Sequence, residues 1–550
     1  MRPTVVITLA VCLSIAGPAR AYASSSAGDA DQAGVRLVVD RSVLNFAVTS
    51  QNQKTPPQTL RVTVTGAPAG QPCWTVTRSS DGAQVYSSCG SGSFEVFLQD
   101  LDYSQIQGEL QSTLTISSTA ENSPQQVQVW FRALASSNRP AGFVDTPAEN
   151  ATISGSVGFT GWAIDDVGVT RVTLCRNAAA GENAPVDGRC GNAAQFYVGD
   201  AVLIDDARPD VAAAFPNSPF HYRAGWGFLV LTNMLPNQGN GTFVFSMRAF
   251  DVEGGFTLLG NRTVVVDNAN AIEPFGAIDT PGQGEVIAGA AYNNFGWALA
   301  KPGKSIPGAS SINVFVDGVD LGNPSYGFPR GDVEALFPCP AYTNSCPPGP
   351  FGVKTINTTT YANGVHTIAW GVFDSAGVPS GIGSRFFTIF NTGTTQQARA
   401  GIDLGRAIGE LAALKPADDP ARVRRGFARA APLTEVPAGP RDVRAIWHRE
   451  LDRVELHLGA TRTASYAGYQ ILDGRLGLLP IGATLDGHTG VFSWQPGVGY
   501  LGAYEFLFVR TTDDGRRERV PVKIVLEPRD YSRRPVQPPS PAFRTLFRAN

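Results

Sequence analysis

Apolar and polar residues alternate with a period of two over long stretches of the chain. Before residue 136 the apolar positions form short runs, namely Leu44, Phe46 and Val48; Leu60, Val62 and Val64; Phe94, Val96 and Leu98; and Val127, Val129 and Phe131. Beyond residue 440 the pattern returns at Val454, Leu456 and Leu458 and at Tyr504, Phe506 and Phe508. Because a period of two is typical of strands with one buried face, the sequence predicts an all-β protein.

One stretch in the middle of the chain occurs twice. Gly142–Asp166, GFVDTPAENATISGSVGFTGWAIDD, corresponds to GAIDTPGQGEVIAGAAYNNFGWALA from Gly276 onward. Both copies contain Asp-Thr-Pro and then Gly-Trp-Ala, and later RPDVAAAFP corresponds to RGDVEALFP and RAFDVEG to GVFDSAG. Units of roughly 120 to 130 residues are too long for solenoid repeats. The sequence therefore predicts two tandem globular domains, at 141–269 and 274–392.

The length of 550 residues corresponds to about three to five domains. The 60 glycines, 39 prolines and 17% charged residues favour strands and turns over helices. We predict antiparallel β-sandwich domains joined by linkers, divided as follows: signal peptide 1–23, disordered lead 24–35, sandwich 36–135, repeats 141–269 and 274–392, linker 393–440, sandwich 441–528 and disordered tail 529–550. In the last sandwich, Asp514-Gly515 predicts a tight hairpin.

The predicted linker 393–440 interrupts the alternation. Its apolar residues Leu404, Ile408, Leu411 and Leu414 have helical spacing, which predicts one short helix. Arginines cluster at Arg422, Arg424 and Arg425. They are expected on a solvated linker face, with binding to an acidic surface as the alternative; the alanines and prolines among them provide no aromatic platform for nucleic acid.

The first 23 residues have the features of a secretory signal. An arginine at position 2 precedes an apolar run from Val5 to Ala16, and small residues at Ala19, Ala21 and Ala23 offer cleavage sites. The run is too short for a membrane-spanning helix, and no second run of spanning length follows. We therefore expect a secreted or extracellular protein, with the periplasm as the alternative.

Six cysteines remain beyond the predicted signal, and they form three pairs that are close in sequence. An even number of cysteines in a secreted chain predicts disulfides, here Cys73–Cys89, Cys175–Cys190 and Cys339–Cys346. Six cysteines allow about 15 connectivities in principle, but each of these pairs lies within one predicted domain. No cysteine and histidine cluster has the spacing of a zinc site.

Three segments resemble known bacterial modules. The stretch LVVDRSVLNFAVTSQNQKTPPQTLRVTVTG, with the later GELQSTLTISSTAENSPQQVQVWF, resembles the BACON-like sandwich modules of secreted proteins. Both repeats resemble bacterial immunoglobulin-like domains, the second more closely through INVFVDGVDLGNPSYGFPRGDVEALFP and NGVHTIAWGVFDSAG. The segment LPIGATLDGHTGVFSWQPGVGYLGAYEFLFVRTTDDG resembles immunoglobulin/cadherin-like bacterial domains. These resemblances imply sandwich folds, and the resemblance to BACON-like modules points to binding of carbohydrate or mucin.

Candidate chemistry is sparse in the sequence. The histidines, His221, His366, His448, His457 and His488, are scattered, and none lies in a metal-binding or nucleophile motif. Adjacent acids can share a hard cation with loop carbonyls, so Asp165, Asp166, Asp251 and Glu253 are candidate calcium ligands, with solvated turn carboxylates as the alternative. No cofactor is expected otherwise.

Tryptophans are the residues that sugar binding would use. Trp162 and Trp297 occupy the same position in both repeats, which favours a shared core anchor. Trp226, in the glycine-rich AGWGF, is predicted to be the exposed ring and a ligand contact. Specificity is expected in the parts that the repeats do not share, Cys175–Asp206 and Cys339–Cys346.

The function most consistent with these features is non-enzymatic adhesion or recognition of a protein or glycan on a cell surface or in the matrix. Alternatives are a structural spacer for another secreted component and, less favoured, a carbohydrate-active enzyme. The net charge of −3 and the isoelectric point near 6.0 give no general attraction to nucleic acid or anionic membranes.

Overall fold

A computed structural model describes residues 36–65, 73–79, 82–89, 92–96, 102–106, 108–120, 122–391, 407–428, 430–459, 464–472 and 474–529. The predicted signal peptide, the lead, the first part of the linker up to residue 406 and the tail from residue 530 lie outside these ranges. No helix in these ranges is long and apolar enough to span a membrane.

The N-terminal sandwich (36–134) has the alternation that the sequence predicts. Its strands are β1 (Arg36–Val39), β2 (Val43–Thr49), β3 (Gln58–Thr65), β4 (Cys73–Arg78), β5 (Gln84–Cys89), β6 (Gly92–Val96), β7 (Glu109–Ser118) and β8 (Gln125–Leu134). They form a three-stranded sheet, β1-β3-β6, and a five-stranded sheet, β2-β8-β7-β4-β5. One core, in which Trp74 is fully buried, contains Leu44, Phe46, Val48, Leu60, Val62, Phe94, Val96, Val127, Val129 and Phe131 of the predicted runs. Leu98 lies outside the described residues.

The first repeat (141–268) contains ten strands and two short α-helical turns, besides three 3-10 turns. The strands are β9 (Ala141–Thr146), β10 (Ala151–Ile153), β11 (Ser156–Ile164), β12 (Val169–Arg176), β13 (Val186–Asp187), β14 (Ala193–Ala194), β15 (Phe196–Ile204), β16 (Gly225–Leu231), β17 (Asn240–Asp251) and β18 (Phe256–Asp267); the helical turns are α1 (Pro209–Ala214) and α2 (Pro236–Gly239). Strand β15 connects the two layers, because its first half pairs with β12 and its last residues pair with β16.

The second repeat (275–391) has the same layers. Its elements are β19 (Phe275–Thr280), β20 (Val286–Ile287), β21 (Tyr292–Leu299), β22 (Ile312–Val316), β23 (Val319–Asp320), β24 (Ser325–Phe328), α3 (Gly331–Leu336), β25 (Phe351–Ile356), β26 (Gly364–Phe373) and β27 (Pro379–Ile389). Here two short strands replace the single connecting strand of the first repeat: β23 pairs with β22 in one sheet, and β24 pairs with β25 in the other. The two sheets are β19-β21-β25-β24 and β20-β27-β26-β22-β23.

An arginine clamp explains why two separated motifs recur in both repeats. In the first repeat, Arg208 at the start of α1 forms ion pairs with Asp145 of the Asp-Thr-Pro segment and with Asp210. In the second, Arg330 pairs in the same way with Asp279 at 2.5 Å and with Asp332 at 2.6 Å. One guanidinium can bind two carboxylates through its planar set of donors, so the clamp fixes the short helix against the first strand.

The C-terminal sandwich begins earlier than the sequence predicts. Its elements are α4 (Ala407–Ala412), β28 (Lys415–Pro416), β29 (Ala421–Arg425), β30 (Thr434–Val436), β31 (Arg444–Arg449), β32 (Val454–His457), β33 (Ala464–Leu472), β34 (Arg475–Gly477), β35 (Ala483–Asp486), β36 (Val491–Trp494), β37 (Gly502–Thr512) and β38 (Arg517–Glu527). α4 contains Ile408 and Leu411 of the helix predicted within 393–440, whereas Leu404 lies outside the described residues. Farther along the predicted linker, Lys415–Pro416, Ala421–Arg425 and Thr434–Val436 form strands. The linker prediction is therefore wrong for that part.

The strands before residue 440 belong to the same core as the rest of the C-terminal sandwich. β29 pairs with both β30 and β32. Its apolar residues Ala421 and Val423 are buried, while Arg422 and Arg424 alternate with them and are half-buried. One sheet has the order β30-β29-β32-β36-β35, and the other has the order β28-β38-β37-β33-β34 with β31 also pairing with β38.

The C-terminal sandwich folds back and packs on both repeats. Ile204 and Ala207 of the first repeat and Phe386 of the second are buried in the core cluster that contains Trp494. Tyr504 donates a hydrogen bond from Oη to the Ala207 carbonyl at 2.6 Å. These contacts make the last domain part of a compact assembly of domains, in addition to its connection through residues 392–406.

A second contact of the C-terminal sandwich with the second repeat is made by an inserted phenylalanine. Phe427, which follows β29, is buried with Phe315 and Ala369 of the second repeat. The rings of Phe427 and Phe315 meet edge to face at 5.4 Å. Nearby, Arg453 donates from Nε to the Gly318 carbonyl at 2.6 Å. Apolar and polar contacts together fix the orientation of these two domains.

Candidate functional site

The repeated tryptophans lie outside the space between the sheets. Trp162 is half-buried beside Val211 of α1, and Trp297 is 4% exposed in the cluster that contains Val333 of α3. Each indole therefore lies beneath the short helix that the arginine clamp holds, where it serves as a scaffold residue. Trp297 is therefore buried, as expected of a core anchor, whereas Trp162 is only half-buried; the central tryptophan of each sandwich is a different residue.

Trp226 is fully buried, so the prediction of an exposed ligand-contacting ring at this position is wrong. It pairs in register with Gly161, and a Cβ atom on Gly161 would lie 2.5 Å from the indole. In the second repeat Gly296 pairs with Gly352, and the indole over both glycines comes from Trp370, on the opposite sheet. Each sandwich thus has one central indole, supplied by a different strand.

The three predicted disulfides are confirmed: Cys73–Cys89, Cys175–Cys190 and Cys339–Cys346 are bonded. Cys175 and Cys190 are fully buried and close a loop of the first repeat. Within the predicted specificity segment Cys175–Asp206, Val186 is 70% exposed. The end of that segment is covered, however, because Asp205 binds Arg41 of the N-terminal sandwich at 2.8 Å. Asp205 is therefore a domain contact.

The candidate calcium ligands surround one loop of the first repeat. Asp165 is 5% exposed, and its Oδ1 accepts hydrogen bonds from the backbone N–H groups of Val167 and Gly168 at 2.8 and 2.7 Å. Asp166 Oδ2 accepts from the side chain of Asn138 at 2.7 Å. Asp165 Oδ2 and both carboxylate oxygens of Glu253 are buried without a hydrogen-bond donor among the described residues.

Burial raises the pKa of Asp165 to about 6, and the charges of Asp166 and Glu253 add to this effect, whereas the two backbone hydrogen bonds oppose it. The second repeat carries Ala300 and Lys301 at the corresponding positions of its repeat. Within the described residues, no three His, Cys, Asp or Glu side chains are arranged to hold a metal ion. Calcium binding at the acidic loop therefore stays a prediction.

Replacing Asp165 by asparagine should stabilise the first repeat at neutral pH. Asparagine keeps the acceptor for the two backbone N–H groups but removes a carboxylate that burial disfavours. The Asp165 carboxyl holds its proton to a higher pH in the folded chain than in the unfolded chain. The free energy of unfolding therefore falls as pH rises from about 4 to about 6, and this destabilisation is complete above that range. We expect D165N to raise the unfolding free energy by about 1 to 2 kcal/mol at about pH 7.5, and by almost nothing near pH 4.

The measurement is thermal unfolding in EDTA across this pH range, with the exposed Asp513→Asn as the matched control. Equal stability of D165N and the parent chain at neutral pH would contradict the pKa assignment. Thermal unfolding with calcium in place of EDTA tests the predicted calcium site separately. A bound ion would stabilise the parent chain and leave D165N unchanged, whereas no shift in the parent chain removes calcium from consideration.

The histidines have structural contacts. His366 is 8% exposed between the Asp317 carboxylate, at 2.6 Å from Nδ1, and the Ala362 carbonyl, at 2.8 Å from Nε2. His448 is also buried, and burial lowers its pKa, which favours the neutral imidazole. Its Nε2 lies 2.8 Å from the Asp452 carbonyl. Both imidazoles are thus held inside the fold by neighbouring backbone carbonyls.

An open groove on the C-terminal sandwich brings an aromatic ring together with charged side chains. The groove has a volume of about 480 Å³ and is lined by Arg425, Gly426, Trp447, His448, Arg449, Asp452 and Glu527. We call it the Trp447 groove. Its volume lies in the range of small-ligand sites, roughly 300 to 1,000 Å³. Arg425 belongs to the arginine cluster noted in the sequence, whereas no sequence motif singles out Trp447.

Alternation along β31 determines which side chains reach the Trp447 groove. Arg444, Ile446 and His448 point inward and are buried. Trp447 points outward and is 43% exposed, beside the half-buried Arg449. β31 pairs in parallel with β38, which places Arg449 opposite Glu527. Burial raises the pKa of Glu527. The groove therefore has an aromatic side, two guanidinium groups and two carboxyl groups.

Comparison with known proteins finds only weak structural matches. No family profile and no curated protein sequence matches the chain. Among solved structures, the four N-terminal immunoglobulin domains of Dscam1 isoform 8.4 match at a TM-score of 0.22 and 10% identity, over 90% of this chain and 100% of that one. Sidekick-1 immunoglobulin domains 1–4 match at 0.20 and 9%, over 90% and 99%. Protocadherin gammaB7 EC3-6 matches at 0.15 and 12%, over 89% and 100%.

TM-scores of this size carry no argument about function or domain arrangement. The chain's own sheets define it as an all-β protein of tandem immunoglobulin-like sandwiches, as the sequence predicts. The identification of a BACON-like module in the N-terminal sandwich stays a prediction.

Proposed function

We propose that this chain is a secreted, non-enzymatic recognition or adhesion protein that binds a protein or glycan of a cell surface or matrix through the Trp447 groove. The observation that carries the proposal is the exposed indole of Trp447 within a concave, charged site. Large aromatic side chains with exposed faces are enriched where proteins bind partners. The three disulfides support an extracellular location.

A spacer would have a different use for the C-terminal sandwich. A spacer gains reach when its domains follow one another, whereas here the last sandwich packs on both repeats and shortens the molecule. This packing leaves the Trp447 groove open and holds its walls in place, because Phe427 follows Arg425 and Gly426 directly and is buried against the second repeat. A rigidly held concave site favours recognition over spacing.

The test is binding of the purified full-length protein to cells and to extracellular matrix, followed by pulldown of secreted partners. We expect saturable binding that Trp447→Ala reduces by about tenfold or more, a loss of at least about 1.4 kcal/mol. Phe390→Ala is the matched control, because Phe390 is 54% exposed on the second repeat, away from the groove-lining residues. If the protein binds none of these targets, the proposed function is contradicted.

A further inference from the structure

We propose that the Trp447 groove binds an acidic saccharide, with the uronate carboxylate held by Arg425 and Arg449 and the sugar ring stacked on Trp447. The proposal rests on the proposed recognition function and adds the chemical class of the ligand. Three features of the groove lead to it: an exposed indole face, two arginines without carboxylate partners in the described part of the chain, and two carboxyl groups beside them.

The indole of Trp447 offers a flat apolar face with a fixed orientation. Alternation along β31 turns the side chain outward, and the strand is held by its parallel pairing with β38. Arg425 Nε donates to the Trp447 carbonyl at 3.4 Å, which ties β29 to the platform. A pyranose ring is amphipathic, with C–H groups on its faces and hydroxyls at its rim, so it can stack on such a face while its hydroxyls stay hydrated or hydrogen-bonded.

The two arginines of the groove differ from their neighbours in their ion pairs. Arg424, next to Arg425 on β29, binds Glu455 at 2.7 Å, and Arg453 binds the same carboxylate at 2.6 Å. In the described part of the chain, neither Arg425 nor Arg449 forms an ion pair with a carboxylate. A guanidinium presents paired N–H donors that match the two oxygens of a carboxylate. A ligand carboxylate is the group these donors fit.

The acids of the groove restrict the ligand further. Asp452 and Glu527 line the same space as the arginines. Carboxylates accept hydrogen bonds from hydroxyl groups but repel neighbouring negative charge. Polyanions with closely spaced phosphates, such as nucleic acids, are therefore poor ligands. A molecule with one carboxylate per ring and several hydroxyls satisfies both the arginines and the acids, and uronate-containing oligosaccharides have this composition.

The test begins with a glycan array that carries neutral, uronate-containing and sulfated oligosaccharides, probed with the full-length protein. Calorimetry then compares the best uronate oligosaccharide with its methyl ester, which keeps the shape but removes the charge. We expect the free uronate to bind, and we expect the methyl ester to bind at least about tenfold more weakly. Arg425→Gln with Arg449→Gln should remove this preference, whereas Trp447→Ala should weaken both ligands by about tenfold. Phe390→Ala should change neither.

The outcomes separate the ligand class from the function. If cells, matrix or a neutral glycan bind the protein in a Trp447-dependent way but uronates do not, the saccharide assignment is overturned and the recognition function stands. If uronates bind equally well to the parent chain and to the double arginine variant, the assigned roles of the arginines are overturned. If the array, the cells and the pulldown all show no binding, both proposals fail. Unchanged thermal unfolding of each variant shows that it is folded.

Discussion

Replacing Gly227 by alanine should separate the C-terminal sandwich from the first repeat and destabilise their contact by about 3 kcal/mol. Gly227 lies on β16, where a Cβ atom would lie 2.6 Å from the carbonyl carbon of Val498 and 2.7 Å from the nitrogen of Gly499. These are backbone atoms of the segment between β36 and β37, so they cannot move aside as the end of a side chain can. The whole segment has to shift.

The expected loss of stability includes more than the clash of the added methyl group. Neighbouring contacts depend on the same close approach between the C-terminal sandwich and the first repeat. Gly499 contacts Ile204 so closely that a Cβ atom there would lie 2.5 Å from the Ile204 Cδ1 atom. The hydrogen bond from Tyr504 to the Ala207 carbonyl crosses the same boundary. Ile204 and Ala207 are 3% and 0% exposed in this arrangement. Separation would expose both of them to water, which adds a hydrophobic cost.

Calorimetry and small-angle scattering measure this effect. We expect G227A to show an earlier unfolding transition for the C-terminal sandwich and a larger radius of gyration. Gly331→Ala is the matched control, because a Cβ atom on Gly331 meets no other atom within 4 Å. If the C-terminal sandwich were only tethered in tandem, Gly227 would be free of contact, and G227A would behave like the control.

Local pattern was sufficient to predict the sandwiches and insufficient to predict how they pack together. The period-two runs correspond to β2, β3, β6 and β8 of the first sandwich and to β32 and β37 of the last, because burial of one strand face leaves a local signature. The approach of Val498 to Gly227 joins residues far apart in sequence and leaves no such signature. The glycines of AGWGF predict an exposed segment, whereas in the structure Gly225 and Gly227 allow Arg208 and Val498 to approach the backbone.

Short strands account for the error at residues 415–436. The alternation of β29 was present, with Ala421 buried before Arg422 and Val423 buried between Arg422 and Arg424, but alanine is a weak apolar signal and the strand has only five residues. Trp447 could have been predicted to face outward, since Ile446 and His448 take the inward positions of the same strand. It could not have been predicted that Arg425 reaches the same groove, because β29 and β31 belong to different sheets.

Replacing Glu450 by glutamine should stabilise the docked C-terminal sandwich by about 2 to 3 kcal/mol at about pH 8. Glu450 is 2% exposed, and its Oε2 atom lies at the boundary with the first repeat, 3.5 Å from where a Cβ atom of Gly158 would be. Oε1 accepts a hydrogen bond from the Arg529 N–H at 3.0 Å, whereas Oε2 is buried without a donor among the described residues.

Burial raises the pKa of Glu450 to about 7; the negative charges of Asp145 and Asp452 add to this effect, and Arg529 opposes it. In the unfolded chain the carboxyl loses its proton near pH 4.3, so between about pH 4 and about pH 7 the folded state binds more protons than the unfolded state. Stability therefore falls as pH rises through this window, and the full penalty remains above it. Glutamine has nearly the same shape, carries no charge and keeps the acceptor for the Arg529 N–H, so E450Q should remove this dependence.

Thermal unfolding from about pH 4 to about pH 8.5 checks the prediction, with Glu505→Gln as control because Glu505 is exposed and pairs with Lys523. The midpoints of E450Q and the parent chain should coincide at the acidic end and diverge as pH rises, whereas the control should run parallel to the parent chain. Parallel profiles for E450Q would show that Glu450 is ionised in the folded protein. The predicted divergence, by contrast, requires the carboxyl to be buried at the boundary with the first repeat, and G227A, which opens that boundary, should then reduce it.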